Sequence, residues 1–112
     1  MRPPPTLEIQ ESRTDGCLRL SLIGELDLAV ATRLEDRLAP LRARRTAVKL
    51  DLSRLLFIDS TGIRLLIQTI GDARIKRWDL QIDPNVSPQV MRLFRLVHLD
   101  RFVFDPAPAP KR

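Results

Sequence analysis

The segment LLFIDSTGIRLL, from Leu55 to Leu66, joins two kinds of order. An apolar approach, Leu55 to Ile58, breaks off at Asp59-Ser60-Thr61-Gly62. Apolar residues then resume at Ile63, Leu66, Ile67 and Ile70, the spacing of one face of a helix. A strand region that passes into a helix through short polar residues predicts an α/β unit.

Reading outward, Ala47 to Leu52 alternates as the strand that leads to this junction. Before it, Ala31, Leu34, Leu38 and Leu41 mark an amphipathic helix starting near Leu28. Cys17 to Ile23 places Leu18, Leu20 and Leu22 on one strand face, and Leu7, Ile9 and Glu11 suggest a shorter strand ahead of it. RTDG (Arg13–Gly16) supplies turn chemistry between the two. After the junction the second helix ends near Arg77, and Trp78 to Ile82 forms a short strand stopped by DPN (Asp83–Asn85). Val86, Val90, Leu93, Phe94 and Val97 mark a third helix from about Ser87-Pro88, and Phe102 to Phe104 reads as a last short strand. The order is β-β-α-β-α-β-α-(β). Strands joined through helices run parallel with right-handed crossovers, and the first hairpin adds an antiparallel edge. The predicted fold is α/β, a single mixed sheet with helices packed on it.

Composition bounds the function. The 112 residues fit one domain, and 44% hydrophobic content with four Phe, one Trp and no Tyr predicts an aliphatic core. Proline-rich segments at 1–6 and 105–112 read as tails around a domain spanning 7–104. No apolar run reaches the ~18–20 residues of a membrane helix, and MRPPPT lacks a signal-peptide apolar region. Cys17 and His98 are each the only residue of their type, which argues against a disulfide and a metal site. The expectation is a soluble cytoplasmic protein with no cofactor and no membrane insertion. The +5 charge is spread along the chain, through Arg42, Arg44 and Arg45, then Arg74, Lys76 and Arg77, then Arg92 and Arg95. Acids such as Glu35, Asp36 and Asp72 lie close by. Nucleic-acid domains concentrate charge on one face and interleave aromatics, so solvated helix faces account better for these arginines.

In parallel α/β units the loops leaving the carboxyl ends of strands gather on one rim. GELD (Gly24–Asp27) and IDSTG (Ile58–Gly62) would meet there, bringing Glu25, Asp27, Asp59, Ser60 and Thr61 together. Three readings apply to the paired hydroxyls. Helix capping needs a single Asp, Ser or Thr oxygen and leaves a second hydroxyl over. A nucleophile needs an adjacent base; His98, between Val97 and Leu99, is better placed for a structural role, and no G-x-S-x-G elbow or phosphate loop is present. A phosphoacceptor suits a helix N-terminus, where free N–H groups and the dipole favour negative charge.

With these motifs in place the chain resembles the STAS domain family, specifically stand-alone anti-sigma factor antagonists. LIGELDLAVATRLEDRLAPL and VKLDLSRLLFIDSTGIRLLI carry the resemblance, which runs from about Leu7 to Phe104. It implies a non-enzymatic protein that binds an anti-sigma factor and releases a sigma factor. The implied partner is a serine/threonine kinase that phosphorylates the antagonist, and a PP2C-type phosphatase restores the binding form. It implies Thr61 as acceptor, with Ser60 as neighbour or alternative, and Asp27 and Asp59 as motif acids. Glu25 and Gly62 complete the implied partner-binding set. The alternative within the fold is a STAS subunit of a membrane lipid-transport ABC complex, binding its ATPase subunit.

Overall fold

The computed structural model describes residues 7–14 and 16–104, and the sheet is organised by its second strand. β1 (Leu7–Thr14) and β2 (Cys17–Leu26) pair antiparallel, from Leu7 opposite Gly24 to Thr14 opposite Cys17. α1 (Ala31–Ala43), β3 (Val48–Asp51), β4 (Leu55–Ile58), α2 (Ser60–Lys76), β5 (Leu80–Ile82), α3 (Pro88–Leu96) and α4 (Leu99–Phe104) follow. β1 occupies one edge of β2. The other edge is shared, parallel, by β3 at Leu18–Ser21 and β4 at Gly24–Leu26, and β5 extends the sheet beyond β3. The proline-rich termini at 1–6 and 105–112, and Asp15 of the expected turn, lie outside the described residues.

Period-2 alternation sends Leu18, Leu20 and Leu22 of β2 and Val48 and Leu50 of β3 into one core. They meet Leu34 and Leu38 of α1, Leu66 and Ile70 of α2, and Val90 and Phe94 of α3, all in one buried cluster. The helical stripes read from the sequence therefore pack as expected, with two exceptions. One is Val97, expected in the α3 stripe, which is the exposed C-cap of that helix. The other is Ile67, expected in the α2 stripe, which faces solvent, while Thr69 and Ala73 are buried in its stead. Gly71, in the middle of α2, weakens the helix by about 1 kcal/mol relative to alanine.

Two segments differ from expectation. Leu55–Ile58 is a separate strand rather than the tail of β3. Its pattern is buried, exposed, exposed, buried, because Gly24–Glu25 of β2 face Leu55 and Phe57 and leave Leu56 as an extra, bulged residue. The bulge breaks the alternation by which a strand is recognised. The expected last strand, Phe102 to Phe104, is instead part of helix α4. Leu99 and Val103, one helical turn apart, are both buried, and Arg74 of α2 donates to the Phe102 carbonyl and lies 4.6 Å over its ring. Packing of this i, i+4 pair overrides the strand preference of Phe-Val-Phe. Among the described residues, no helix is long and apolar enough to cross a membrane.

The opposite sheet face is polar and carries an ion cluster. Arg19 of β2 lies 3.1 Å from Asp51 of β3 and 3.1 Å from Asp83, which follows β5. Burial pushes the Asp51 carboxyl up, but hydrogen bonds from Ser53 and the Arg19 charge outweigh it and hold the carboxyl below its ordinary value. The Asn85 backbone N–H, helped by Arg19 against partial burial, holds Asp83 down as well. Because both folded-state values are depressed, the unfolded chain takes up protons first on acidification. The cluster thus stabilises the fold above the ordinary carboxylate range, about pH 4, and that contribution is lost as pH falls through the depressed folded values. Arg19→Met should lower the melting temperature at pH 7, and the gap from the wild type should narrow at about pH 3. Thermal melts of both proteins at the two pH values check this; an unchanged gap would mean that the cluster is not the source.

Candidate functional site

Asp59 builds the rim. It is the N-cap of α2, in extended conformation, and its Oδ1 accepts from the Gly62 N–H at 2.9 Å. Its Oδ2 accepts from the Leu28 N–H at 3.1 Å, and its own N–H donates to the Leu26 carbonyl at 3.2 Å. One residue thereby starts the helix and ties the β4–α2 junction to the β2–α1 loop. Gly62 makes the approach possible. A Cβ there would lie 2.6 Å from the Leu26 oxygen and 2.7 Å from Ile58 Cγ1, distances no side chain tolerates.

The neighbouring acids hold different positions. Asp27 Oδ1 accepts from the Ala29 N–H at 3.1 Å, one residue beyond the amide that Asp59 holds. Asp27 thus shapes its own turn; α1 begins later, with Val30 as an N-cap that makes no side-chain cap bond. Glu25 is exposed but lies within β2, opposite Phe57 of β4, rather than in the loop. Gly24 (φ 105°) takes the left-handed backbone next to this register shift, a conformation suited to glycine.

Ser60 and Thr61 are the first two residues of α2, Ser60 exposed and Thr61 half-buried. Neither hydroxyl is hydrogen-bonded among the described residues, because Asp59 already supplies the cap. The expected rim is therefore assembled from Asp27, Asp59, Ser60, Thr61 and Gly62, with Glu25 set back on the strand. Its chemistry is that of accessible hydroxyls at a positive helix end, beside two carboxylates. His98 sits in the turn between α3 and α4, with φ 59°, at the opposite end of α3 from Ser87, whose Oγ donates to the Leu55 carbonyl. Among the described residues, no group of three or more His, Cys, Asp or Glu could hold a metal ion.

Sequence reading missed three exposed apolar side chains at this end of the sheet, Leu28 (73% exposed), Leu56 (59%) and Phe57 (50%). Leu28 passes for the first residue of the helix that follows, and Phe57 for a core residue of an unbroken apolar run. Only the late start of α1 and the bulge at Leu56 turn them outward.

The geometry separates the cap from the hydroxyls. Asp59→Ala should cost about 1–2 kcal/mol, since it removes the cap and the loop tie together. Ser60→Ala and Thr61→Ala should each stay within about 0.5 kcal/mol of the wild type. Urea unfolding of the three variants measures this, and a loss at Ser60 as large as at Asp59 would make the serine a cap after all.

Comparison with known proteins agrees with this architecture. A family model described as "Mlab, STAS domain" matches residues 9–104. The chain is 24% identical over 93 residues to an anti-sigma-B factor antagonist of Bacillus subtilis, covering 83% of this chain and 84% of that protein. It is 33% identical over 70 residues to the anti-sigma-F factor antagonist RsfB of Mycobacterium tuberculosis, covering 62% of this chain and 57% of the relative. Among solved structures, an anti-sigma factor antagonist from Mycobacterium paratuberculosis superposes with a TM-score of 0.70 at 23% identity, over 93% of this chain and 88% of that one. The Bacillus anti-sigma factor antagonist SpoIIAA, in its unphosphorylated form, superposes with a TM-score of 0.68 at 20% identity, over 89% of each chain. Its phosphorylated form gives 0.65 at 19% identity, over 89% of this chain and 92% of that one. The structural likenesses carry the fold; the family match covers nearly all of the described residues, and the chain belongs to the STAS domain family.

Proposed function

We propose that the protein is an anti-sigma factor antagonist, non-enzymatic, whose rim binds an anti-sigma factor and so frees a sigma factor. The observation that carries the reading is the division of labour at the start of α2. Asp59 caps the helix, so the hydroxyls of Ser60 and Thr61 are left without a structural task. The names of the Bacillus and Mycobacterium relatives support the same reading. Phosphorylation at Thr61, with Ser60 as the alternative acceptor, adds about −1.5 to −2 charges at a helix end that tolerates them. The fold survives, but a surface docked on Asp27, Asp59, Ser60, Thr61 and Gly62, with Glu25 at its margin, does not accept the added bulk and charge. The kinase is the anti-sigma factor itself, and a PP2C-type phosphatase reverses the modification in the cytoplasm.

A second reading is a STAS subunit of a membrane lipid-transport ABC complex, in which the same rim binds an ATPase subunit. The description of the matching family model, which names Mlab, favours it. The identity of the bound partner separates the two.

The test uses the purified chain against the kinase-type anti-sigma factors of its own genome, with affinity and intact mass as readouts. Thr61→Ala should bind whether or not ATP is present. Thr61→Glu should melt within a few degrees of the wild type and bind at least about tenfold more weakly. Phosphate should map to Thr61 in the wild type. Phosphate at Ser60 would move the acceptor by one residue; tight binding by Thr61→Glu, with no phosphate on the wild type, would end the switch reading.

A further inference from the structure

The cations that lie scattered along the sequence come together in the fold. β2, β3, β4 and β5 run parallel, so α1, which leads from β2 to β3, and α2, which leads from β4 to β5, both run back against the strands. Both helices therefore end away from the rim, and there they touch: the Arg45 guanidinium, just past α1, donates to the Lys76 carbonyl at 2.7 Å. α3 starts beside Leu52, just past the carboxyl end of β3, where the Ser87 N–H donates to the Leu52 carbonyl. It runs back as well, because α4, which follows it, meets the last turn of α2 through Phe102 and Arg74. One end of the molecule, opposite Ser60 and Thr61, thus gathers the closing turns of three helices.

Some of the charge at this end is already engaged. Arg42 pairs with Glu35, Lys76 pairs with Asp72, and Arg74 is held at Phe102. Arg44, Arg77, Arg95 and Arg101 are exposed and make no ion pair among the described residues. A cation in the last turn of a helix answers its dipole, and Arg42, Lys76 and Arg95 already do so. The dipole does not explain Arg45, Arg77 and His98, the non-glycine residues of positive φ among the described residues, one at the close of each helix. Glycine is the usual occupant of that left-handed position, and a side chain strains it.

Apolar side chains stand among these cations. Ile75 (83% exposed), Leu96 (71%) and Val97 (50%) close α2 and α3. We propose that this end of the fold docks reversibly on a bilayer surface rich in anionic lipid, with Leu96 and Val97 at headgroup level and the arginines on lipid phosphates. Exposed aliphatics between unpaired arginines match a surface that is anionic outside and apolar just beneath. Nucleic acid matches less well, for it offers no apolar layer and this end presents no open stacking surface: Trp78 is buried, and Phe102 and Phe104 are half-buried. Docked in this way, the chain would hold the Asp27 and Asp59 rim away from the membrane, free for a partner. The inference stands apart from which partner that rim binds.

Sedimentation of the full chain with extruded vesicles tests this. The chain should pellet with vesicles of phosphatidylcholine and phosphatidylglycerol in equal parts, and not with phosphatidylcholine alone. Raising the salt from about 0.1 M to about 0.5 M should release it, because the charges are then screened. Arg95→Glu should weaken partitioning at least about fivefold, the worth of one arginine at an anionic surface. Leu96→Glu should weaken it about tenfold. Arg64→Glu makes the same charge change about 18 Å up α2 from Lys76, beyond the screening length, and should bind like the wild type. All three positions are exposed, so each variant should melt within about 3 °C of the wild type. No pelleting with the anionic vesicles, equal pelleting with both kinds, or an equal loss in Arg64→Glu would overturn the proposal. A gel shift of duplex DNA that Arg95→Glu abolishes, with vesicles left unbound, would give this end to nucleic acid instead.

Discussion

The Asp59 carboxylate is the interaction on which the rest of the rim depends. Two oxygens serve two amides from different loops, Gly62 at the start of α2 and Leu28 after β2. Removing either partner would leave a helix end uncapped or a loop unanchored, so the residue couples the position of α2 to that of the β2–α1 connection. The coupling works only because Gly62 has no side chain, since the Leu26 carbonyl occupies the space a Cβ would need. The motif's aspartate and glycine are thus structural, and the two hydroxyls between them are released from structural duty. A site assembled in this way can change its chemistry at Ser60 or Thr61 without dismantling the helix that presents it.

β2 is the second constraint. A ten-residue strand paired along nearly its whole length with β1 has one edge left, and two short strands, β3 and β4, divide it. The bulge at Leu56 lies where β4 takes over. It adds local twist and turns Phe57 outward while Ile58 stays in the core. That geometry delivers Asp59 to the level of Leu26, where its N–H meets the Leu26 carbonyl. The rim is therefore a consequence of strand sharing as well as of loop composition.

The sheet separates two kinds of stabilisation. Its helix-covered face is aliphatic and continuous, while the other face carries the Arg19, Asp51 and Asp83 cluster across neighbouring strands. Leucines dominate the first and charge pairing the second, so acid should weaken one face and leave the other intact. The candidate rim lies at the carboxyl ends of β2 and β4, where neither kind of packing occupies it.

Much of this was legible from residue patterns, because the interactions concerned are local or periodic. Alternation in β2, the leucine stripe of α1, the Ser87-Pro88 start of α3 and the sheet-and-helix order all follow from which side chains must leave water. The DSTG and GELD segments were legible as a rim for the same reason: polar residues at strand ends have few other places to be. Tertiary structure alone decided the rest. Which of three capable oxygens caps α2 depends on a Leu28 amide more than thirty positions away in sequence, and local propensity ranks Asp, Ser and Thr almost alike. The fate of Phe102 to Phe104 turned on Leu99 and Val103 finding the core together, a long-range event that outweighs strand preference. The separate identity of β4 came from a register shift against β2, and Ile67 faces solvent because Thr69 and Ala73 took the inward side of α2. Periodicity states that a helix has an apolar face; only its neighbours determine which apolar residues that face can hold.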